Sequence, residues 1–451
     1  TGIHPKPGGM SSTMDFKIVG DADRRLVANV HPEDWVQPLP RDRYDLVVVG
    51  GGTGGLVSAA IGAGLGARVA LVERKLLGGD CLNFGCVPSK AMIRAARSWS
   101  EARGTRRRFG GPEVRDGGDF ALVMDRMRGL RADLSKVDSA ERFRSLGVDV
   151  FLGEARFDAA DSLRVDSVRL RFRRAILATG ARPTVPSIPG LAEVPFLTSE
   201  TVFDLTELPK RLLVLGAGPI GCELAQTFSR LGSRVTILER AGRLLQREEP
   251  ESSTVLEGAF LREGITFLPG ASVVEVREEG GALTVHYEEG KGRRKLQGDD
   301  LLVAVGRTPN VDLNLEAAGV ACSAAGIRVD HRLRTTNRRI YAVGDVASAY
   351  QFTHVADAQA RLAVQNALFY GRGKAGELVI PAATYTSPEV ARVGPTLREL
   401  EGRGIPAEAI TLSFSDLDRP RLDGEEEGFA QVLVREGKAE ILGATIVAEN
   451  G

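Results

Sequence analysis

The chain has 451 residues, 43% of them hydrophobic and 26% charged, the balance of an ordinary globular protein with material for about three domains. Its 59 basic and 59 acidic side chains cancel, which leaves no basic footprint for nucleic acid or an anionic membrane surface. No apolar run reaches the roughly 18–20 residues of a membrane-spanning helix, and only four cysteines suit a reducing cytoplasm better than secretion.

Residues 1–42 are rich in proline, glycine and charge, with one short helix expected over 21–30. They read as an extension packed on the main body, with no visible chemistry; His4 and His31 are read as surface residues rather than metal ligands. The sequence opens at Thr1 without a basic-then-apolar leader and stops at Gly451 just after a strand-like run, so both ends are expected to be those of a fragment.

Tyr44-Asp45-Leu46-Val47-Val48-Val49 is a short β-branched run of the kind buried on both faces of a parallel sheet. Gly50-Gly51-Gly52-Thr53-Gly54-Gly55 follows, then an Ala/Gly-rich helix, then a strand over 68–73 ending in Glu73. Strand, glycine turn, helix, strand and acid together make a dinucleotide-binding unit. The glycines let a pyrophosphate approach the helix N-terminus, and the acid takes a ribose diol.

Next comes Gly78-Gly79-Asp80-Cys81-Leu82-Asn83-Phe84-Gly85-Cys86-Val87-Pro88-Ser89-Lys90. A loop of this length brings two sulfurs within bonding distance, and Gly85 relieves the bend. Pro88 is expected in the first turn of a following helix, whose amides and dipole favour a thiolate at or near Cys86. That is the chemistry of a reversible dithiol, with two inert buried cysteines as the plain alternative. A zinc site would want two more thiol or imidazole ligands close by, and none is offered. Cys222 and Cys322 read as ordinary small core residues. Residues 91–146 read as helical and arginine-rich, with the runs 106–108 and 171–174 as solvated faces.

The dinucleotide unit then recurs: Arg211-Leu212-Leu213-Val214-Leu215, Gly216-Ala217-Gly218-Pro219-Ile220-Gly221, a helix, and a strand over 234–239 ending in Glu239. Two complete units imply two dinucleotides. A carboxylate at 239 favours the ribose hydroxyl of NADH over the 2′-phosphate of NADPH, with Arg240 and Arg243 near enough to offset part of that preference. A short strand ends in Gly344-Asp345. From about residue 381, runs over 429–435 and 439–447 alternate like strands of an antiparallel sheet.

Residues 78–90, continued by Ala91-Met92-Ile93-Arg94-Ala95-Ala96-Arg97, resemble the redox-active signature of the FAD-dependent pyridine nucleotide–disulfide oxidoreductases. That family includes dihydrolipoyl dehydrogenase, glutathione reductase and mercuric reductase, and residues 91–97 are most similar to the last. The resemblance covers roughly residues 43–451. It departs at Asp80, where the family usually has threonine, and at Phe84, where it usually has valine; both flank the first sulfur and can alter its pKa or access. The implied fold is α/β: two Rossmann-like domains, the NAD domain inserted in the FAD domain, plus an incomplete α+β dimerisation domain. The implied boundaries are an extension at 1–42, FAD binding at 43–188, NAD(P) binding at 189–306, FAD binding again at 307–380, and dimerisation at 381–451.

The resemblance also implies roles. FAD would be held by Gly50, Gly52, Thr53, Gly54, Gly55, Glu73, Gly79, Asp80, Lys90, Ala155, Ala178, Thr179, Gly180, Gly344 and Asp345. Thr353 and His354 fall where the family approaches the flavin ring, with a plain core histidine as the alternative at 354. Gly216, Gly218, Pro219, Ile220, Gly221, Glu239, Val273 and Gly306 would serve the nicotinamide cofactor, NADH rather than NADPH. Cys86 would face the flavin and Cys81 would exchange with substrate. Lys90 would sit near the flavin's reactive nitrogen with Glu223 as its ion-pair partner, against the reading of two unrelated surface charges. NADH would reduce FAD, FAD the disulfide, and the dithiol an external acceptor. That acceptor is mercuric ion, or lipoamide or another disulfide; in a different class the protein is a flavin redox sensor without turnover. A cytoplasmic homodimer with no resident metal is implied. The C-terminal segment carrying the family's acid–base group is not found in these residues, and none of the five histidines has a matching context.

Overall fold

The computed structural model describes residues 16–114, 118–290, 292–369 and 371–451, so His4 lies outside the described residues. The first β-branched run forms the strand Tyr44–Val49, with Tyr44, Leu46, Val47 and Val48 fully buried. It pairs in parallel with Val69–Glu73 on one side and Val168–Leu177 on the other. A strand covered on both faces has no use for polar alternation, which is why this one is apolar without a break from Leu46 to Val49. Val148–Leu152 extends the sheet in parallel, while Ser162–Val165 and Ala155–Ala159 complete the other side as antiparallel additions. The seventh strand, Ile340–Ala342, returns from far along the chain to lie parallel against Ala175–Leu177.

Between that departure and return the second unit builds its own sheet. Four parallel strands run in the order Thr266–Pro269, Arg234–Glu239, Arg211–Leu215, Asp300–Val303, beside a three-stranded antiparallel sheet of Ser272–Glu279, Ala282–Glu289 and Gly292–Gly298. From Pro381 on, five antiparallel strands follow in the order Pro381–Thr384, Glu389–Val393, Ile441–Ala448, Phe429–Arg435, Ala407–Ser413. Two Rossmann-like units and a third, α+β unit are thus the architecture. The edge strand Ala407–Ser413 escaped the sequence reading because none of its side chains is fully buried, so it carries no core-facing alternation.

The arginine-rich stretch is helical over Cys86–Phe109, Phe120–Leu134 and Ala140–Ser145. Asp119 caps the second of these by accepting from the Ala121 and Leu122 amides. Arg106, Arg107, Arg108, Arg171 and Arg173 are exposed, while Arg174 is half-buried. The extension forms its helix at Asp21–Val30 and buries Leu26, Val27 and Val30. Of the two further cysteines, Cys222 is fully buried as expected, but Cys322 is exposed on a two-residue surface strand next to the buried Val320. Among the described residues no helix is long and apolar enough to cross a membrane.

Candidate active site

Both glycine turns form the same cradle. Gly50 has φ +102°, and a Cβ there would stand 2.3 Å from the Ala178 carbonyl oxygen; Gly216 has φ +106°, with the Ala304 oxygen at 2.5 Å. A side chain fits at neither position. Helices open immediately afterwards at Thr53 and Pro219, presenting their first amides to the turn. Glu73 accepts from the Gly51 amide at 2.6 Å and the Lys75 amide at 2.7 Å. Glu239 does the same with Ala217 and Ala241, both at 2.7 Å. Each acid is therefore held at the edge of its turn, where a ribose would lie.

Over the first turn opens a cleft lined by Gly50, Gly52, Glu73, Gly79, Asp80, Ala155, Ala178, Thr179, Gly180 and Asp345, which brings together ten of the residues assigned from sequence. Thr53, Gly54 and Gly55 form the first turn of the helix at its floor. Gly344, at φ +71°, donates its amide to the Gln359 side chain at 2.8 Å and so aims Asp345 inward. Two charged groups here were not singled out from sequence. Glu200 lines the cleft. Arg307 donates to the Ala181 carbonyl and lies 2.7 Å from the Asp80 carboxylate and 3.7 Å from that of Asp345. Burial pushes the Asp80, Glu200 and Asp345 carboxyls up, Asp345 to about 6, with Arg307 pulling the other way. The buried Arg307 Nε has no hydrogen-bond partner. A glycine cradle, a helix N-terminus and a buried guanidinium N–H without a hydrogen bond together fit an anionic dinucleotide such as FAD.

The redox stretch lies on top of this cradle. It is not the loop the sequence suggested. Cys81 sits in a five-residue helix, Gly79–Asn83, and Cys86 is the first residue of the helix Cys86–Phe109. Gly78 donates its amide to the Gly51 carbonyl at 2.8 Å. A Cβ at Gly79 would stand 2.5 Å from the Gly52 Cα, so the close approach demands glycine. Both thiols are free and half-buried. The hydrogen bond from Cys81 pulls the Cys86 thiol down to about 6 against the effect of burial, and the Thr353 hydroxyl, 3.2 Å from Cys86 Sγ, and the Lys90 charge add to the pull. The same bond, with burial, pushes Cys81 up. One sulfur is a ready thiolate and the other a proton-bearing partner.

Lys90 lies one helical turn beyond Cys86, and its Nζ is 2.9 Å from the Glu223 carboxylate, which is buried on the helix Pro219–Leu231. The two are an ion pair rather than separate surface charges. Tyr385, which sequence reasoning left without a role, completes the arrangement: its amide donates to the other Glu223 oxygen at 2.9 Å, and its ring lies 4.3 Å from Lys90 Nζ. His354 is not a core histidine. It is exposed, stacked on Phe352, and bonded through Nε2 to the Pro381 carbonyl at 2.7 Å. At the second cradle, the Ala271 amide bonds the Glu239 carbonyl and brings Val273 close behind. Gly306 holds φ +133° at the sheet edge. Arg243 donates through its two terminal nitrogens to Ser253 and to the Gln246 and Glu248 carbonyls.

Two dinucleotide cradles joined through a polarised dithiol define a flavin- and nicotinamide-dependent oxidoreductase. Residues 44–360 match the pyridine nucleotide-disulphide oxidoreductase family and residues 380–451 its dimerisation domain, and the chain belongs to this family. It is 35% identical over 411 residues to mercuric reductase of Staphylococcus aureus, covering 90% of this chain and 75% of that one. It is 32% identical over 421 residues to dihydrolipoyl dehydrogenase of Chlamydia muridarum, covering 90% and 87%. Among solved structures, the Cu(II) complex of the HOCl-induced flavoprotein disulfide reductase RclA from Escherichia coli aligns with TM-score 0.80 and 29% identity over 90% of each chain.

Proposed function

We propose that this enzyme passes electrons from NADH, by way of FAD in the first cradle, to the Cys81–Cys86 pair and from there to a thiophilic metal ion, mercuric ion foremost. The observation that carries the reading is the polarised dithiol, with Cys86 a thiolate above about pH 6 and Cys81 its hydrogen-bonded, proton-bearing partner. FAD, when bound, supplies the two-electron relay between nicotinamide and sulfur. The turn 50–55 and the helix it opens hold the pyrophosphate, Glu73 a ribose, and Asp345 the ribityl hydroxyls. Glu239 takes the NADH ribose, and Arg243, being engaged elsewhere, does not offset its preference against a 2′-phosphate. Lys90, fixed by Glu223 and Tyr385, places a positive charge beside the redox end of the cleft, and Thr353 steadies the Cys86 sulfur. Residues 43–188 with 307–380 serve FAD, 189–306 serve NADH, and 381–451 pair two copies in a cytoplasmic homodimer.

The electrons balance. A hydride from NADH and one proton from solvent convert the disulfide to two thiols. Mercuric ion binding both sulfurs displaces two protons, and its reduction to Hg(0) re-forms the S–S bond, leaving NAD⁺ and one net proton. A metal acceptor would meet the dithiol itself, because thiolate sulfur is the soft ligand that such an ion prefers. Similarity to mercuric reductases supports mercuric ion, and the Cu(II) complex of the Escherichia coli relative makes Cu(II) the next metal to try. A disulfide acceptor such as lipoamide is the second reading, supported by the dihydrolipoyl dehydrogenase relative.

NADH oxidation by the yellow protein separates these, with mercuric chloride in excess thiol, Cu(II), lipoamide and glutathione disulfide as acceptors. Mercury-dependent turnover lost in Cys86→Ser supports the proposal. Turnover with a disulfide alone overturns the metal reading, and none with any acceptor leaves the sensor.

A further inference from the structure

The extension does more than cover the sheet edge. Asp23 on the helix Asp21–Val30 and Arg131 on the helix Phe120–Leu134 form an ion pair at 2.8 Å with both side chains 1% exposed. The other arm of Arg131 donates to the backbone carbonyl of Asn83 at 2.8 Å, inside the five-residue helix that carries Cys81. Phe16 packs on Phe84 at 6.2 Å between ring centroids, and the Arg131 guanidinium lies 5.0 Å from the Phe16 ring. The Leu77 amide bonds the Val30 carbonyl, and Leu26, Val30, Leu77, Leu82, Phe16 and Phe84 share one apolar cluster. Arg131 Nε and Asn83 Oδ1 are buried without partners. A buried ion pair with unmet hydrogen bonds is poor value as stabilisation, since well-packed apolar side chains do as well or better. Its geometric effect is specific: it ties the extension to the backbone two residues from Cys81.

We propose that residues 16–31 are a positioning element of the dithiol site. Through the Asp23–Arg131–Asn83 chain and the Phe16–Phe84 contact, they hold the Cys81 helix against Cys86 and limit how freely Cys81 swings out to meet an acceptor. Asp23 and Phe16 act through other residues and touch neither sulfur. The inference rests on the dithiol reading above, but its test does not pass through flavin or NADH.

The full-length holoprotein is reduced with dithiothreitol and desalted. Alkylation by iodoacetamide is then followed by mass spectrometry site by site, at Cys81 and at the more reactive Cys86 thiolate, with the exposed Cys322 as internal reference. Phe16→Ala and Asp23→Asn are expected to speed Cys81 alkylation roughly fivefold by lowering the cost of local opening, with Cys322 unchanged and Phe16→Tyr restoring the native rate. The equilibrium of the Cys81–Cys86 couple with glutathione should shift in the same two variants. A Cys81 rate within twofold of native and an unshifted glutathione equilibrium, even with a lowered melting temperature, would overturn the proposal and leave a purely structural brace. Phe16 is only partly buried and lies outside the ion pair, so its variants decide the matter if Asp23→Asn does not fold.

Discussion

At the first turn the glycine before the helix, Gly52, faces Gly79 of the redox stretch, and a Cβ on it would stand 3.6 Å from the Gly79 Cα; at the second turn the equivalent Gly218 has nothing within 4 Å. The turns are otherwise close copies: φ +102° and +106° at the leading glycine, the same clash from a Cβ at Gly55 or Gly221, and the same pair of amide bonds to the terminal acid. Local sequence therefore makes the cradle, and what packs on it decides its use. The first is covered by Gly78 and Gly79, with Asp80 and Asp345 lining the same cleft, as would suit a cofactor that stays. The second is left open, as suits a nicotinamide that must come and go each turnover.

The largest effect should come from disturbing the roofed turn. Gly50→Ala places a methyl group on the Ala178 carbonyl at positive φ, an overpacking that costs about 3 kcal/mol, or roughly a hundredfold in flavin affinity; the protein is expected to purify colourless, scored by absorbance at 450 nm. The matching Gly216→Ala should keep its yellow colour and lose NADH affinity instead. If both variants lose flavin equally, the contrast between the two turns is wrong. Next in size, Lys90→Ala removes a charge that ties the two units together through Glu223, and stopped-flow reduction by NADH should slow about a hundredfold. Smaller again, Glu239→Gln weakens the ribose contact and should raise the KM for NADH about tenfold while narrowing its lead over NADPH. An unchanged coenzyme ratio in steady-state kinetics would remove Glu239 from specificity.

The strands Tyr44–Val49, Arg211–Leu215 and Arg234–Glu239 were legible to the residue because each holds an unbroken apolar or β-branched run stopped by glycine or acid. The dithiol, the Lys90–Glu223 pair and most of the cleft followed from spacing and from the family resemblance. The helix around Cys81 was not legible, since five residues are too few to show a helical period. Arg307 bridging Asp80 and Asp345, and Tyr385 beneath Lys90, are contacts across the fold that no local pattern records. Cys322 was misread because alanines and Val320 stand close to it in sequence, and only the tertiary packing leaves it exposed.

Anaerobic titration of the yellow protein with NADH, followed by visible spectroscopy, tests the central claim most directly. A Cys86 thiolate in contact with oxidised flavin should give a long-wavelength charge-transfer band at two electrons per subunit, absent in Cys86→Ser. Because the folded thiol titrates near 6, below its ordinary value of 9.0, folding favours the thiolate, and the band should persist from pH 9 downwards and fade as pH falls through about 6. Direct bleaching to fully reduced flavin with no such band at pH 8 would contradict the account, because it would put the two cysteines off the electron path.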